Sequence, residues 1–217
     1  MEEAKRKTIY EAVVKRGLDL VLSFLGLVIL SPLFLVLSLM VVIDDPGPVF
    51  FTQKRIGINK SYFKLHKFRS MKMCTPHDTP THLLENPAQY ITKIGGFLRK
   101  SSLDELPQIW DIFTGKLSIV GPRPALWNQD DLIAERDRYG ANFVKPGLTG
   151  WAQINGRDEL EIPVKARLDG DYVTELKKGG FKAFKMDLKC FFGTFKSVAG
   201  AEGIVEGGTG AMERHGK

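Results

Sequence analysis

The chain has 217 residues, enough for one domain with appendages, and a formal net charge of +6. A basic balance directs attention to anionic partners: phosphorylated substrates, nucleic acid or an anionic membrane surface. Its two cysteines, Cys74 and Cys190, stand far apart in no metal-ligand spacing, which argues against a disulfide framework or a zinc site and suits a reducing cytosol.

The first element is an uncharged apolar run from Leu20 to Ile43. As a straight helix at ~1.5 Å per residue it reaches roughly 36 Å, enough to cross a ~30 Å hydrocarbon core. It is too long for the apolar stretch of a signal peptide, and no small-residue cleavage site follows it. Ser31-Pro32 lies at its centre. Pro32 removes an N–H and clashes with the carbonyl four residues back, so a kink is expected there, and the Ser31 hydroxyl can satisfy a freed carbonyl. Both flanks are basic: Lys5, Arg6, Lys7, Lys15 and Arg16 before the run, Lys54, Arg55, Lys60, Lys64, Lys67 and Arg69 after it. Each end therefore asks for the cytoplasmic side. On these features a spanning helix and a re-entrant hairpin are both open.

After the turn signal Asp44-Asp45-Pro46-Gly47, strand-like runs are predicted at Val49–Gln53 and Tyr62–Phe68. Residues Cys74 to Pro87 read as a loop, with His77 and His82 on its surface. Ile91–Lys100 and Ser102–Thr114 are predicted helices, Leu117–Val120 a short strand, and Leu126–Tyr139 a charged surface helix. Val144–Gly156 holds three glycines and a proline and reads as an ordered loop. Ile162–Leu176 and Phe181–Ala199 are predicted helices. In the last, Phe181, Phe184, Leu188, Phe191, Phe192 and Phe195 recur at helical spacing between lysines, a pattern that fits either core packing or an amphipathic helix in the headgroup region. The Gly-rich stretch 200–217 reads as a poorly ordered tail. The fold class is α/β or α+β, with short helices dominating.

Two adjacent acids, Asp104 and Glu105, stand out within Ser102-Leu103-Asp104-Glu105. That stretch matches a capping box, with Ser102 as N-cap and Glu105 three residues on. Pro107 then falls inside the first turns of the helix, where it weakens them just beside the acids. Cations surround the pair in sequence: Arg99 upstream, Arg123 fixed between Pro122 and Pro124, Arg157 closing the glycine-rich loop, and Lys67 with Arg69 on the second strand. Carboxylates with arginines, and no GxxxxGK[ST] motif, point to phosphoryl chemistry outside the P-loop class. A carboxylate can attack phosphorus, and the charge developing on phosphoryl oxygens calls for arginine and Mg2+.

These pieces, in this order, resemble one family. They are Lys15-Arg16 with Asp19 before the apolar run, Ser31-Pro32 within it, Phe51 to Arg55 (FTQKR) with Gly57, and Lys64 with His66 to Met71 (HKFRSM). They continue with Leu98-Arg99, Ser102 to Gln108 (SLDELPQ), Val120 to Pro124 (VGPRP) and Pro146 to Arg157 (PGLTGWAQINGR). The chain resembles the bacterial sugar transferases of the monotopic polyprenyl-phosphate phosphoglycosyl transferase superfamily over roughly residues 10–198, and looks like their minimal catalytic form. The resemblance implies transfer of a sugar-1-phosphate from a UDP-sugar to polyprenyl phosphate, with UMP released, at the first membrane step of glycan assembly. It implies a re-entrant helix kinked at Ser31-Pro32, and so an N-terminal membrane segment over residues 1–48, a catalytic domain 49–199 on the cytoplasmic face of the inner membrane, and a tail 200–217. It implies Asp104 as nucleophile, Glu105 as its assistant, and Mg2+ at the pair. By position, Lys67, Arg99, Arg123 and Arg157 would bind phosphates, and Gln153, Asn155 and Asp169 are candidates for nucleotide or sugar contacts. Expected partners are the UDP-sugar, polyprenyl phosphate and membrane lipid, with homo-oligomers allowed and no nucleic acid, since the cations are spread rather than striped. The rival readings are a metal-dependent nucleotide-sugar hydrolase and a membrane-anchored binding protein.

Overall fold

The computed structural model describes residues 7–75, 86–156 and 159–199. Arg157, His77, His82 and the stretch 200–217 lie outside the described residues.

The apolar run folds as two helices, α1 (Tyr10–Ile29) and α2 (Ser31–Asp44), bent by 61° at Leu30. The first turns of α1, Tyr10–Lys15, are wound in π fashion. Pro32 falls at the start of α2, where its missing N–H deprives no helical bond, so the break precedes the proline instead of running through it. A continuous helix would have bonded residue 32 to the Val28 carbonyl; the Ser31 hydroxyl donates to that carbonyl instead, at 2.8 Å. Among the described residues no single helix is long and apolar enough to cross a membrane, but the bent pair passes that test by length and composition. Leu22, Phe24, Leu25, Val28, Ile29, Leu35, Val36 and Leu39 are exposed along it.

The strands β1 (Phe50–Ile56) and β2 (Tyr62–Phe68) form an antiparallel hairpin with Phe50 opposite Phe68 and Ile56 opposite Tyr62. Helix α3 (Lys93–Lys100) begins at Thr92, whose hydroxyl accepts from the Gly95 N–H at 2.9 Å. A glycine is unfavourable inside a helix on propensity alone, and here packing requires it. A Cβ on Gly95 would stand 2.0 Å from the Ser70 carbonyl oxygen.

The stretch expected to form one capped helix is two elements. Ser102 adopts a left-handed conformation (φ 57°) and its side chain caps nothing. Leu103–Glu105 is a single 3-10 turn, and α4 (Gln108–Phe113) starts only after Pro107. Pro107 therefore lies at a helix N-terminus, where it is tolerated, and the capping box is not formed.

The segment 144–156, expected to be a loop, is also ordered differently. β3 (Ser118–Val120) pairs in parallel with β4 (Gly147–Thr149), and a short helix, α6 (Trp151–Ile154), follows the charged helix α5 (Asp130–Arg138) and β4 in chain order. The glycines serve close backbone approach: a Cβ on Gly147 would lie 2.1 Å from the Gly121 nitrogen. Helices α7 (Ile162–Lys177) and α8 (Gly180–Ala199) complete the chain. One core joins Tyr10, Val120, Val144, Tyr172, Leu176, Ala183 and Cys190; a second joins Leu37, Val41, Phe68 and Leu98. Helix α8 has two faces: Ala183, Met186 and Cys190 are buried, whereas Phe181, Phe192 and Phe195 are exposed.

Polar bonds fasten α1 to the rest. Asp187 on α8 accepts from Lys15 at 2.7 Å, from the Tyr10 hydroxyl at 2.8 Å and from the Tyr172 hydroxyl at 2.8 Å. Burial raises both phenols beyond their ordinary range, and the Asp187 charge adds to that, so both stay donors. Arg16 donates to the carbonyls of Ile112 and Phe113, each at 2.8 Å. Asp19 accepts from the Ser118 hydroxyl at 2.8 Å and the Ile119 N–H at 3.0 Å. Asp187→Ala strands a buried ammonium and the Tyr10 phenol, and leaves the Tyr172 hydroxyl only the Val120 carbonyl at 3.2 Å. We expect it to lower the unfolding free energy by about 3–5 kcal/mol, read as a fall in melting temperature of the detergent-solubilised protein. A melting temperature within a degree of wild type would show that the network is not a fastening.

Candidate active site

The 3-10 turn presents its two acids to cations from three other elements. Lys67, near the end of β2, donates to Glu105 Oε1 at 2.9 Å and lies 3.4 Å from Asp104 Oδ2. Arg123 comes from the segment after β3. Its Nη2 bonds Glu105 Oε1 and its Nη1 lies 3.4 Å from Oε2. Arg99, at the end of α3, donates through Nε to the Ser70 hydroxyl at 2.9 Å, and its charge acts on Asp104. Arg69, expected on the second strand, lies just past the end of β2 and is engaged elsewhere, on Asp45 Oδ2 at 2.5 Å.

The two acids are adjacent but not equivalent. Asp104 is buried, and burial pushes its carboxyl above the usual range; Lys67 opposes that rise, and the neighbouring Glu105 charge adds to it. For Glu105 burial also resists ionisation, but Arg123 and Lys67 outweigh it and hold its carboxyl well below the usual range. Glu105 is thus a fixed anion bound by two cations. Asp104 is held, among the described residues, only by the long contact to Lys67. A carboxylate with little of its charge neutralised is the better nucleophile.

Further residues that carry no local sequence signal complete the support. Asp111 on α4 accepts from the His66 N–H at 2.9 Å and pairs with His66 Nδ1 at 2.7 Å. That joins the element behind the acidic turn to the strand carrying Lys67, across 45 residues of chain. Ser70, the partner of Arg99, is legible in the sequence only within HKFRSM.

The other predicted site residues sit apart from this hydrogen-bonded cluster. Asp169 is fully buried on α7 and takes Arg136 Nε at 2.8 Å and Nη2 at 2.5 Å, which gives it the job of joining α5 to α7. Asn155 is exposed and donates to the Trp151 carbonyl at 2.7 Å, closing α6. Gln153 is buried on α6, with its Oε1 lacking a partner among the described residues. Arg157 lies outside the described residues.

Among the described residues no group of three or more His, Cys, Asp or Glu gathers as a metal site. Mg2+ commonly takes one or two carboxylates and completes its shell with substrate phosphates and water. The acidic pair meets that need incompletely: Asp104 retains acceptor capacity, whereas both Glu105 oxygens face Lys67 or Arg123.

Residues 10–201 match the family model described as "Bacterial sugar transferase". The UDP-glucose:undecaprenyl-phosphate glucose-1-phosphate transferase of Escherichia coli (strain K12) is 40% identical over 176 residues, which are 75% of this chain and 36% of that protein. The uncharacterized sugar transferase EpsL of Bacillus subtilis (strain 168) is 38% identical over 192 residues, 88% of this chain and 90% of its own length. The exopolysaccharide production protein PSS of Rhizobium leguminosarum bv. phaseoli is 34% identical over 197 residues, 86% of this chain and 96% of its own. The chain spans only 36% and 31% of the glucose-1-phosphate transferases of Escherichia coli and Xanthomonas campestris pv. campestris.

The opposite shifts of the two acids give opposite pH signatures. The folded state binds the Asp104 proton more tightly than the unfolded chain, whose value is ~3.9, so stability falls as pH rises from there and the cost is complete above the folded value. Asp104→Asn is expected to melt above wild type at pH 7, with the gap closing toward pH 4. Glu105 is held below its unfolded value of ~4.3, so its stabilisation is full above that pH and is lost as pH falls through the folded value. Glu105→Gln is expected to melt below wild type at pH 7, by ~1–3 kcal/mol, with that gap also shrinking on acidification. Shifts of the same sign in the two variants would contradict the assignment.

Proposed function

The chain belongs to the bacterial sugar transferase family, and we propose that it transfers a sugar-1-phosphate from a UDP-sugar to polyprenyl phosphate, giving polyprenyl-diphosphate-sugar and UMP. The observation that carries this reading is the unequal grip on the two acids: one carboxylate locked between cations, its neighbour left with free acceptor capacity beside them.

The reaction has two steps. An Asp104 carboxylate oxygen attacks the β-phosphorus of the UDP-sugar. The bond from that phosphorus to the bridging oxygen breaks, and UMP leaves with the electron pair. A phosphate oxygen of the polyprenyl phosphate then attacks the same phosphorus, the bond to Asp104 breaks, and the carboxylate is regenerated. Lys67, Arg99 and Arg123, with Arg157 by its place in the motif, offset the charge on the phosphoryl oxygens. Glu105 positions Lys67 and Arg123 for that task. Mg2+, held by Asp104 or shared with Glu105, would supply further charge neutralisation on the diphosphate.

The bent, exposed, apolar pair α1–α2 with basic residues on both flanks supports a re-entrant insertion from the cytoplasmic face of the inner membrane. The exposed phenylalanines of α8, alternating with Lys182, Lys185, Lys189 and Lys196, suit contact with the headgroup region. Relatives named as UDP-glucose:undecaprenyl-phosphate glucose-1-phosphate transferases make those two substrates the first to test.

Purified protein incubated with UDP-glucose, Mg2+ and undecaprenyl phosphate should release UMP and glycosylate the lipid. With UDP-glucose alone, intact-mass analysis should find a hexose-phosphate adduct that maps to Asp104 and is absent from Asp104→Asn, which should show no turnover. Arg123→Met should reduce kcat by about 10²–10³-fold, the scale for losing one charge-stabilising donor. Sugar phosphate released at the full rate without lipid would make the protein a hydrolase, and turnover by Asp104→Asn would remove the covalent step.

A further inference from the structure

Arg69, Arg99 and Arg123 come from the segments that lead to and surround the acidic turn, and they are held in different ways. Arg69 is paired with the Asp45 carboxylate and Arg123 with the Glu105 carboxylate. Arg99 is held by a neutral group: its Nε donates to the Ser70 hydroxyl at 2.9 Å. Its two terminal nitrogens have no hydrogen-bond or ion-pair partner among the described residues. The Ser102 N–H donates to the Arg99 carbonyl at 3.1 Å, so the chain passes directly from Arg99 into the acidic turn. The Arg99 charge acts on Asp104 without an ion pair between them.

The kind of partner matters. A carboxylate orients a guanidinium and offsets its charge; a hydroxyl orients it and leaves the charge whole. The guanidinium is a rigid planar fork, so fixing Nε also fixes where the Nη pair points. Ser70 is itself well placed to do this. It is buried, its carbonyl accepts from the Thr92 N–H at 3.2 Å, and a Cβ on Gly95 would stand 2.0 Å from that carbonyl oxygen. Ser70 therefore meets α3 at its first turn through the backbone and near its end through the side chain. Lys67, three residues earlier in the chain, holds Glu105 at 2.9 Å. One stretch of backbone thus sets both Lys67 and Arg99 against the acids.

We propose that Ser70 is a positioning residue for sugar-phosphate transfer: its hydroxyl aims the Nη pair of Arg99 at the donor diphosphate beside Asp104. The proposal rests on the transfer reading given above and adds to it the residue that supplies a cation of undiminished charge. Two parallel N–H groups can take two oxygens of one phosphate, a geometry that a lysine lacks. Lys67 and Arg123 are already engaged with Glu105, whereas Arg99 meets the substrate with both terminal nitrogens unspent. The backbone contacts of Ser70 do not depend on its side chain, so Ser70→Ala removes the hydroxyl and leaves the docking of α3 in place.

The test measures UDP-glucose binding with Mg2+ present, by calorimetry on the detergent-solubilised full-length protein. Asp104→Asn serves as the parent, so that no adduct forms. Ser70→Ala in that parent should weaken binding about tenfold, the scale of one hydrogen bond to a charged group. Ser70→Thr, which keeps the hydroxyl, should bind like the parent. Arg99→Met should weaken binding at least as much as Ser70→Ala. Adding Ser70→Ala to Arg99→Met should then cost nothing more, because the hydroxyl has no guanidinium left to aim. A merely structural role for Ser70 would give the same loss in both backgrounds. Equal binding by a folded Ser70→Ala overturns the proposal, as does a further loss on top of Arg99→Met. If Ser70→Ala does not fold, Ser70→Cys fills the same space with a weak acceptor and is read the same way. A parent that binds no UDP-glucose removes the donor reading and this proposal with it. Unchanged binding by Ser70→Ala removes this proposal alone and leaves the transfer reaction standing.

Discussion

The carboxylate of Asp19 and the guanidinium of Arg16 refer both halves of the site to one helix. Asp19 fixes the backbone of β3, which leads through Gly121-Pro122 to Arg123. Arg16 closes the carbonyls at the end of α4, the helix that the acidic turn feeds. These carbonyls lie at the helix C-terminus, where a cation is favoured, and the Ile112 carbonyl accepts from the Gly115 N–H as well, at 3.0 Å. The acids and the arginine that binds Glu105 are distant in sequence, yet α1 holds both. α1 packs closely enough on α4 that a Cβ on Gly26 would meet Ile109 at 3.6 Å. On the proposed membrane insertion, α1 would thereby also set the height of the Asp104 carboxylate.

Within that frame the chemistry follows from a division between like groups. Asp104 and Glu105 differ by one methylene, and both are shielded from solvent. What separates them is the count of cations within bonding reach: two for Glu105 and, at 3.4 Å, one for Asp104. A low dielectric enlarges that difference, because each missing or present charge counts for more there than in water. Substrate phosphates entering between Lys67, Arg99 and Arg123 would meet cations already oriented by Glu105, so little reorganisation is left for the reaction itself.

How much of this is legible in the sequence depends on the range of the interaction. The apolar run, a break close to Ser31-Pro32, the two strands and the last two helices follow from periodicity and turn chemistry, which are local. The glycine-rich segment after Val144 reads as a loop because glycine has two uses. Its use here, backbone packed on backbone between Gly121 and Gly147, depends on residues far away in the chain. Asp169 has the composition of a site residue, but its partner Arg136 lies 33 residues away, and nothing local distinguishes an acid awaiting substrate from one already paired. The same blindness hides Asp111 and Asp187.

The unformed capping box is the most instructive of these. A helix begun at Ser102 would have bound the first-turn amides to Ser102 and Glu105 side chains, spending Glu105 on the backbone. The chain instead holds Ser102 at φ 57°, a left-handed conformation that costs a non-glycine residue on the order of 1 kcal/mol. The break it makes confines Asp104 and Glu105 to a single tight turn whose side chains step by about 120° at three residues per turn. Glu105 is then free for Lys67 and Arg123, while Asp104 points to a different set of neighbours. Strain of this kind persists only where the surroundings over-determine it. Here they do: the turn is anchored behind by Asp111 on His66 and in front by Lys67. The local rule that the sequence satisfies on paper is broken at the one place where obeying it would have cost the site its fixed anion.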